Sequence, residues 1–409
     1  MMYFWPMKRF LIPLLFFIYC TVVAQEPHRY ERGIIMDSLE VSNSENESFA
    51  LYLPNSFDPN KLTPVLFIFE PAARAKLGVK TFIPAAEKYG HLLVCSNNIR
   101  NGSYDHGFEL TNRLFAHIFS RFSIDENLIY LAGFSGGSRL ASAIATTTDK
   151  MAGVIACGAG FAHIPFYQPT VQEYAYAGIC GDRDMNYREM VNVRNLLEKM
   201  DFNHTLITYD GDHRWPPKEQ ILRAFDWLQV QAHKKGHVIM KDSDLKRLYL
   251  RDYQLAQKEE HKERWVQAAE NYSRLLRTYS SFFNTDTVKR KFKALQQDKT
   301  FRSNLKAMEK VLETEAQLVE TFNRRLLKDF ESPEKSDLSW WKKELEALEK
   351  LGVDSGPEME KMVARVRFHI FAVAFSRSNP NLHESSEAQQ QLSTALKKLV
   401  YPETGRKNR

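Results

Sequence analysis

The sequence predicts an α/β fold, a mostly parallel sheet flanked by helices, followed by an all-α C-terminal region. Strand-like and helix-like runs alternate over residues 33–232. Several of the strand-like runs are apolar without alternation, which suits the centre of a parallel sheet covered on both faces. From about residue 242 the strand signals stop. Lys, Glu, Gln, Leu and Ala dominate there, with apolar residues at three- and four-residue spacing.

Along the chain, residues 49–53 read as a strand that ends at Pro54, and residues 64–69 as a buried strand. A helix over 78–89 follows, then a strand over 91–95, a helix over 107–121 and a strand over 127–132. Residues 138–145 are helix-like, 153–157 and 173–180 strand-like, 187–200 helical, and 205–209 a strand. A closing helix spans 217–232, with Pro216 and Pro217 at its start, where proline's fixed φ suits the first turn. Lys234-Lys235-Gly236-His237 is polar and contains glycine, as a linker does. Beyond it helices are expected over 243–257, 262–279, 287–295, 301–330, 338–351, 358–375 and 386–399. Ser332-Pro333, residues 352–357 and Asn379-Pro380 separate some of them. Trp265-x3-Ala269-x2-Tyr272-x2-Leu275-Leu276 resembles half of a tetratricopeptide-type helical pair, but a steady period of about 34 residues is absent. The expectation is an irregular helical domain whose apolar stripes are core.

The chain's 409 residues leave room for two domains. A hydrophobic content of 44% with 26% charged residues is ordinary for a globular protein. The net charge of +6 is spread among interleaved acids and bases, with no basic block of the kind that binds nucleic acid. At the N-terminus, Lys8-Arg9 closes a basic region, residues 10–19 are apolar, and Val22-Val23-Ala24 ends in a small residue before Gln25. This reads as a secretory signal peptide over residues 1–24, which places the mature protein outside the cytoplasm, secreted or periplasmic. The apolar stretch is short for a spanning helix, so no stable membrane span is expected after cleavage. Cys95, Cys157 and Cys180 then remain, an odd number without tight spacing. They fit neither a disulfide framework nor a zinc site and read as free buried thiols. The organisation expected is a leader over 1–24, an α/β domain over 25–235 and a helical domain over 236–409.

The most informative motif is Gly133-Phe134-Ser135-Gly136-Gly137, between the strand at 127–132 and the helix at 138–145. A Gly-x-Ser-x-Gly in that setting forms a sharp turn that lifts the serine oxygen clear of the sheet. Its neighbours must be small to avoid clashes, and the next backbone N–H, that of Gly136, is placed to bind an oxyanion. A serine nucleophile needs a base, and the base an orienting acid. Gly181-Asp182-Arg183-Asp184 follows the strand at 173–180, and Asp210-Gly211-Asp212-His213-Arg214-Trp215-Pro216 follows the strand at 205–209. Three strand ends therefore present Ser135, an aspartate and His213 on the edge where open α/β sheets place their sites. The residues alone leave Asp182 and Asp184 both open as the acid. His163 also follows a strand but precedes the acid in sequence, and it reads as structural.

In these three segments the chain resembles the α/β-hydrolase superfamily, in particular the secreted esterases grouped with polyhydroxybutyrate depolymerases and feruloyl esterases, and dienelactone-hydrolase-like enzymes. The resemblance covers roughly residues 33–233. It implies an α/β-hydrolase sheet, with Ser135 as nucleophile and His213 as general base and then acid. In that family the acid lies three residues after a strand-end glycine, which selects Asp184. The implied activity is hydrolysis of carboxylic esters through an acyl-enzyme, with no metal and no organic cofactor; a serine peptidase would use the same residues.

The chain departs from the family at the loop after the strand at 64–69. There Glu70-Pro71-Ala72-Ala73-Arg74 stands where many relatives carry a His-Gly-Gly run. Proline has no N–H to donate, so the second oxyanion donor is expected to be the amide of Ala72 or Ala73. Arg74, Asn98, Arg100 and Asn101 lie at strand ends and are candidates for binding a polar or anionic part of the substrate. The segment 158–172 is too short for a large helical cap, which suggests an open site for a small-molecule or polymer-linked ester. A protein partner for the C-terminal helices is a further expectation.

Overall fold

The computed structural model describes residues 30–148, 150–171, 173–353, 355–379 and 384–402. The expected leader over residues 1–24 lies outside them. One eight-stranded sheet organises the first half of the chain. Its strands are β1 (Ile35–Glu40), β2 (Ser48–Tyr52), β3 (Thr63–Phe69), β4 (Leu92–Ser96), β5 (Ile124–Phe134), β6 (Gly153–Cys157), β7 (Ala175–Gly181) and β8 (His204–Tyr209). Their spatial order is β1-β2-β4-β3-β5-β6-β7-β8. β2 runs antiparallel to both neighbours, and the pairings from β4 through β8 are all parallel. This is the α/β-hydrolase sheet, so the expected fold class is the observed one.

The central strands carry unbroken apolar runs because helices cover both faces of the sheet. β4, β6 and β7 are buried along their whole length. Side chains alternate between faces. Val65, Phe67 and Phe69 of β3 pack with α2 (Tyr104–Arg121), α3 (Gly136–Thr148) and α4 (Tyr187–Lys199). Leu66 and Ile68 pack on the opposite face with α1 (Ala75–Tyr89) and α5 (Lys218–Lys234). Cys95, Cys157 and Cys180 are free and buried within this unit, and burial pushes their thiol pKa values up.

Strand β1 was not anticipated from the sequence. It is an edge strand whose register shifts between Met36 and Leu39, where Ser38 takes a left-handed φ of 58°. That bulge breaks the alternation by which a strand is recognised.

After α5 the chain is helical throughout the described residues. The helices are α6 (Asp242–His261), α7 (Trp265–Tyr279), α8 (Asp286–Gln297), α9 (Lys299–Glu331), α10 (Leu338–Gly352), α11 (Pro357–Arg377) and α12 (Glu387–Val400). Several starts are capped locally. Asp298 accepts the Phe301 N–H, Asp337 accepts those of Ser339 and Trp340, and Ser386 with Gln389 forms a capping box. α6, α7 and α8 form one apolar cluster, and α10, α11 and α12 form another. α9, 33 residues long, runs through both. Among the described residues no helix is long and apolar enough to cross a membrane.

The helical region packs directly on the sheet unit. Cys180, Tyr187, Met190, Val191 and Leu206 share an apolar cluster with Met308 of α9 and with Val266 and Leu312. Arg274 of α7 is buried and donates to Thr205 Oγ1 at 2.8 Å and to the Leu206 carbonyl at 2.5 Å. Arg365 of α11 and Glu315 of α9 form an ion pair at 2.6 Å, each side chain only 1% exposed.

Candidate active site

The turn between β5 and α3 places Ser135. Its φ is 52°, a left-handed conformation that costs a non-glycine residue about 1–3 kcal/mol. Backbone hydrogen bonds hold it there: Ser135 N–H donates to the Cys157 carbonyl at 2.8 Å, and its own carbonyl accepts from Ser138 N–H at 3.0 Å and from Arg139 N–H at 3.2 Å. The motif glycines are needed for space. A Cβ on Gly133 would stand 2.2 Å from the Gly137 carbonyl oxygen, and one on Gly137 would stand 2.1 Å from that of Phe69.

His213 and Asp184 complete a hydrogen-bonded chain. His213 Nε2 lies 3.0 Å from Ser135 Oγ, and His213 Nδ1 lies 2.8 Å from Asp184 Oδ1. The Asp184 side chain is 1% exposed and that of His213 is 8%. Asp184 Oδ1 also accepts the Asn186 N–H at 2.8 Å, so the carboxylate is held from two sides. Gly158 makes room for it, since a Cβ there would be 2.9 Å from Asp184 Oδ2. The imidazole ring packs against Phe134, with centroids 4.7 Å apart, and Trp215 packs behind Phe134 at 5.3 Å.

Asp182 faces away from this chain, toward the helices. Its carboxylate pairs with Lys361 Nζ of α11 at 2.9 Å, and Arg264 stands 3.9 Å away. Its carbonyl accepts from Arg365 Nη1 at 2.8 Å. Burial pulls the Lys361 pKa down, but Glu358 and Asp182 together hold it above its ordinary value. The two aspartates left open by the sequence are thus separated by environment. Asp184 reaches His213, and Asp182 anchors the loop to α11. His163 is 78% exposed and stands 3.8 Å from Glu189.

The loop after β3 differs from expectation. Ala72 N–H donates to the Glu70 carboxylate at 2.8 Å, and Ala73 N–H donates to the Glu70 carbonyl at 3.0 Å. Arg74 N–H also reaches that carboxylate, at 3.0 Å, and its guanidinium pairs with it. Neither Ala72 nor Ala73 therefore presents a free amide to an oxyanion. The cause is local. The Glu70 side chain is fully buried, and its charge is stabilised by folding back on the amides that follow it. Gly136 N–H differs from these amides. It opens α3 and has no acceptor within the helix.

The four candidate substrate-binding residues separate as well. Asn98 is structural: its Oδ1 accepts from Ser48 N–H at 2.8 Å, and its Nδ2 donates to the Asn46 carbonyl at 2.9 Å. Arg74 is exposed but tied to Glu70. Arg100 and Asn101 line a cavity of about 160 Å³ together with Glu70, Pro71, Gly136 and Leu140. Asn101 N–H donates to the Pro71 carbonyl at 2.9 Å, and Ala72 bridges Arg100, so the two loops are fastened together.

The segment between β6 and β7 contributes only a short 3₁₀ turn, Pro165–Tyr167. α11 stands beside the site, its Phe368 ring 5.6 Å from that of His213 and 5.9 Å from Phe371. Sequence reasoning missed Phe368, which stands beside His213, and Arg365 and Lys361, which hold the Asp182 side of the loop. The available signal was a charged residue, Arg365, set between Val363 and Val366 on an otherwise apolar helix face.

No family model matches the chain, and no curated protein matches it. Among solved structures it is similar to S-formylglutathione hydrolase from Staphylococcus aureus, with 16% identity, a TM-score of 0.42, and coverage of 49% of this chain and 98% of that one. It is similar to the feruloyl esterase module from Clostridium thermocellum, with 13% identity, a TM-score of 0.41, and coverage of 47% and 86%. It is also similar to esterase 2 of Thermogutta terrifontis, with 12% identity, a TM-score of 0.39, and coverage of 51% and 96%. The strand order of residues 35–209 is that of an α/β-hydrolase sheet.

Proposed function

We propose that the protein is a secreted or periplasmic serine hydrolase that cleaves a small carboxylic ester. The observation that carries this reading is the chain Ser135 Oγ, His213 Nε2, His213 Nδ1, Asp184 Oδ1, with both links within hydrogen-bond reach. Ser135 Oγ attacks the ester carbonyl while its proton passes to His213 Nε2. Asp184 holds the ring with Nδ1 protonated and stabilises the imidazolium that forms. Gly136 N–H binds the developing oxyanion. The tetrahedral intermediate collapses, and the leaving alkoxide takes the proton from His213. A water, deprotonated by the same nitrogen, then releases the acid and restores Ser135. No metal or organic cofactor enters this scheme. The Phe368 ring on the His213 side favours a small ester over a polymer surface.

A second reading is a catalytically weak hydrolase unit in a helical binding protein. The engaged amides of Ala72 and Ala73 favour it. One experiment separates the two. Wild-type protein and Ser135→Ala are treated with a fluorophosphonate probe and with short p-nitrophenyl esters. Labelling and turnover that vanish in the variant support the hydrolase. A folded wild type that neither labels nor turns over overturns it in favour of the binding role.

A further inference from the structure

An oxyanion held by one backbone donor is poorly stabilised, and the loop after β3 supplies no second one. Pro71 has no N–H, and the amides of Ala72, Ala73 and Arg74 are all engaged by Glu70. A second donor must come from a side chain next to Gly136. Asn101 meets that condition. Its carboxamide sits against Gly136, with Oδ1 2.0 Å and Nδ2 2.9 Å from the point a Gly136 Cβ would occupy. A side chain at position 136 would displace the Asn101 carboxamide. The Asn101 backbone is fixed by its hydrogen bond to Pro71, and Asn101 and Gly136 line the same small cavity.

We propose that Asn101 is the second oxyanion donor of this site. Resting on the esterase reading above, the assignment has Nδ2–H of Asn101 and N–H of Gly136 sharing the negative oxygen of the tetrahedral intermediate. The terminal torsion of asparagine is soft and roughly two-fold, so a turn about it brings Nδ2 to the position Oδ1 holds. Gly136 N–H is set by the turn and the Asn101 backbone by its hydrogen bond to Pro71, so only the terminal torsion of Asn101 has to settle on the oxyanion. Glu70 then has a complementary part: it withdraws the usual loop amides and braces the loop that Asn101 leans on.

The test is steady-state kinetics on p-nitrophenyl butyrate with wild type, Asn101→Ala and Asn101→Asp. Loss of one oxyanion donor lowers kcat by about 10²–10³-fold. The expected result is that loss in Asn101→Ala with KM changed only a few-fold, and at least as great a loss in Asn101→Asp, whose carboxylate repels the oxyanion. Asn101 is exposed, so both variants are expected to keep the wild-type circular dichroism spectrum and melting temperature. Ser135-dependent turnover by wild type together with an undiminished kcat in Asn101→Ala overturns the Asn101 assignment and leaves the esterase reading standing. Absence of any Ser135-dependent turnover in wild type overturns both.

Discussion

The ring of Phe368 on α11 lies 5.6 Å from that of His213, at an interplanar angle of 45°. The helical region thus supplies part of the wall around His213, and Phe134 supplies the other side at 4.7 Å. An aromatic contact of this kind contributes about 0.5–1.5 kcal/mol beyond its buried area. Phe368→Ala is expected to lower kcat/KM for a p-nitrophenyl ester by about 2–10-fold, the same energy read as a rate. Kinetics on the purified variant check this; an unchanged value would mean that α11 stands beside the site without bearing on the reaction.

The buried pair of Arg365 and Glu315 ties α11 to α9, and through the Asp182 carbonyl it ties both to the loop that carries Asp184. Burial raises the Glu315 pKa, and Arg365 pulls it back. Removing one partner of such a pair strands the other charge in a dry environment, at about 3–5 kcal/mol. Arg365→Met is expected to lose stability on that scale in urea unfolding. The double variant Arg365→Met, Glu315→Leu is expected to recover a large part of the loss, because no lone charge remains. A double variant no more stable than the single one would show that the Asp182 contact, rather than the stranded charge, dominates.

How much of this was legible in the sequence follows from the range of each interaction. Ser135, Asp184 and His213 were readable because each follows a strand with a nearby glycine, and strand ends converge by topology alone. The helices after residue 242 were readable from local periodicity, ending within a few residues of their observed bounds. β1 was not, because its bulge at Ser38 hides the alternation. The oxyanion expectation at Ala72 and Ala73 failed because the Glu70 carboxylate took the Ala72 amide and the Glu70 carbonyl that of Ala73, a competition that no sequence pattern reveals. Phe368 and Arg365 were invisible because their partners lie far away in sequence, and only the tertiary packing of α11 brings them together.

The two aspartates of the β7 loop offer a direct contrast. Asp184→Asn preserves shape but cannot stabilise the imidazolium or fix the ring with Nδ1 protonated. It is expected to lower kcat by about 10⁴-fold. Asp182→Asn breaks the ion pair with Lys361 and leaves the His213 contact intact, so its kcat is expected to stay within about tenfold of wild type while its melting temperature falls. Parallel kinetics and thermal melts decide the matter; equal kcat losses in the two variants would contradict the separation of roles.

His91, fully buried beneath the sheet between Tyr130 and Phe225, makes a prediction about acid stability. Burial lowers its pKa to about 3, with the backbone of Tyr89 opposing the shift. In the unfolded chain the imidazole titrates at its ordinary value of about 6.5. Between these values the unfolded state holds a proton that the folded state refuses, so this residue's contribution favours unfolding increasingly as pH falls from about 6.5 toward 3. The slope from this one group approaches about 1.4 kcal/mol per pH unit and vanishes above pH 6.5. Stability from urea unfolding at a series of pH values, compared between wild type and His91→Leu, isolates that slope. The variant is expected to lose stability less steeply between pH 6 and 4, whatever its stability at pH 7. Parallel curves would mean that the folded protein accommodates a charged His91, either by admitting water or by opening the α5 side of the sheet.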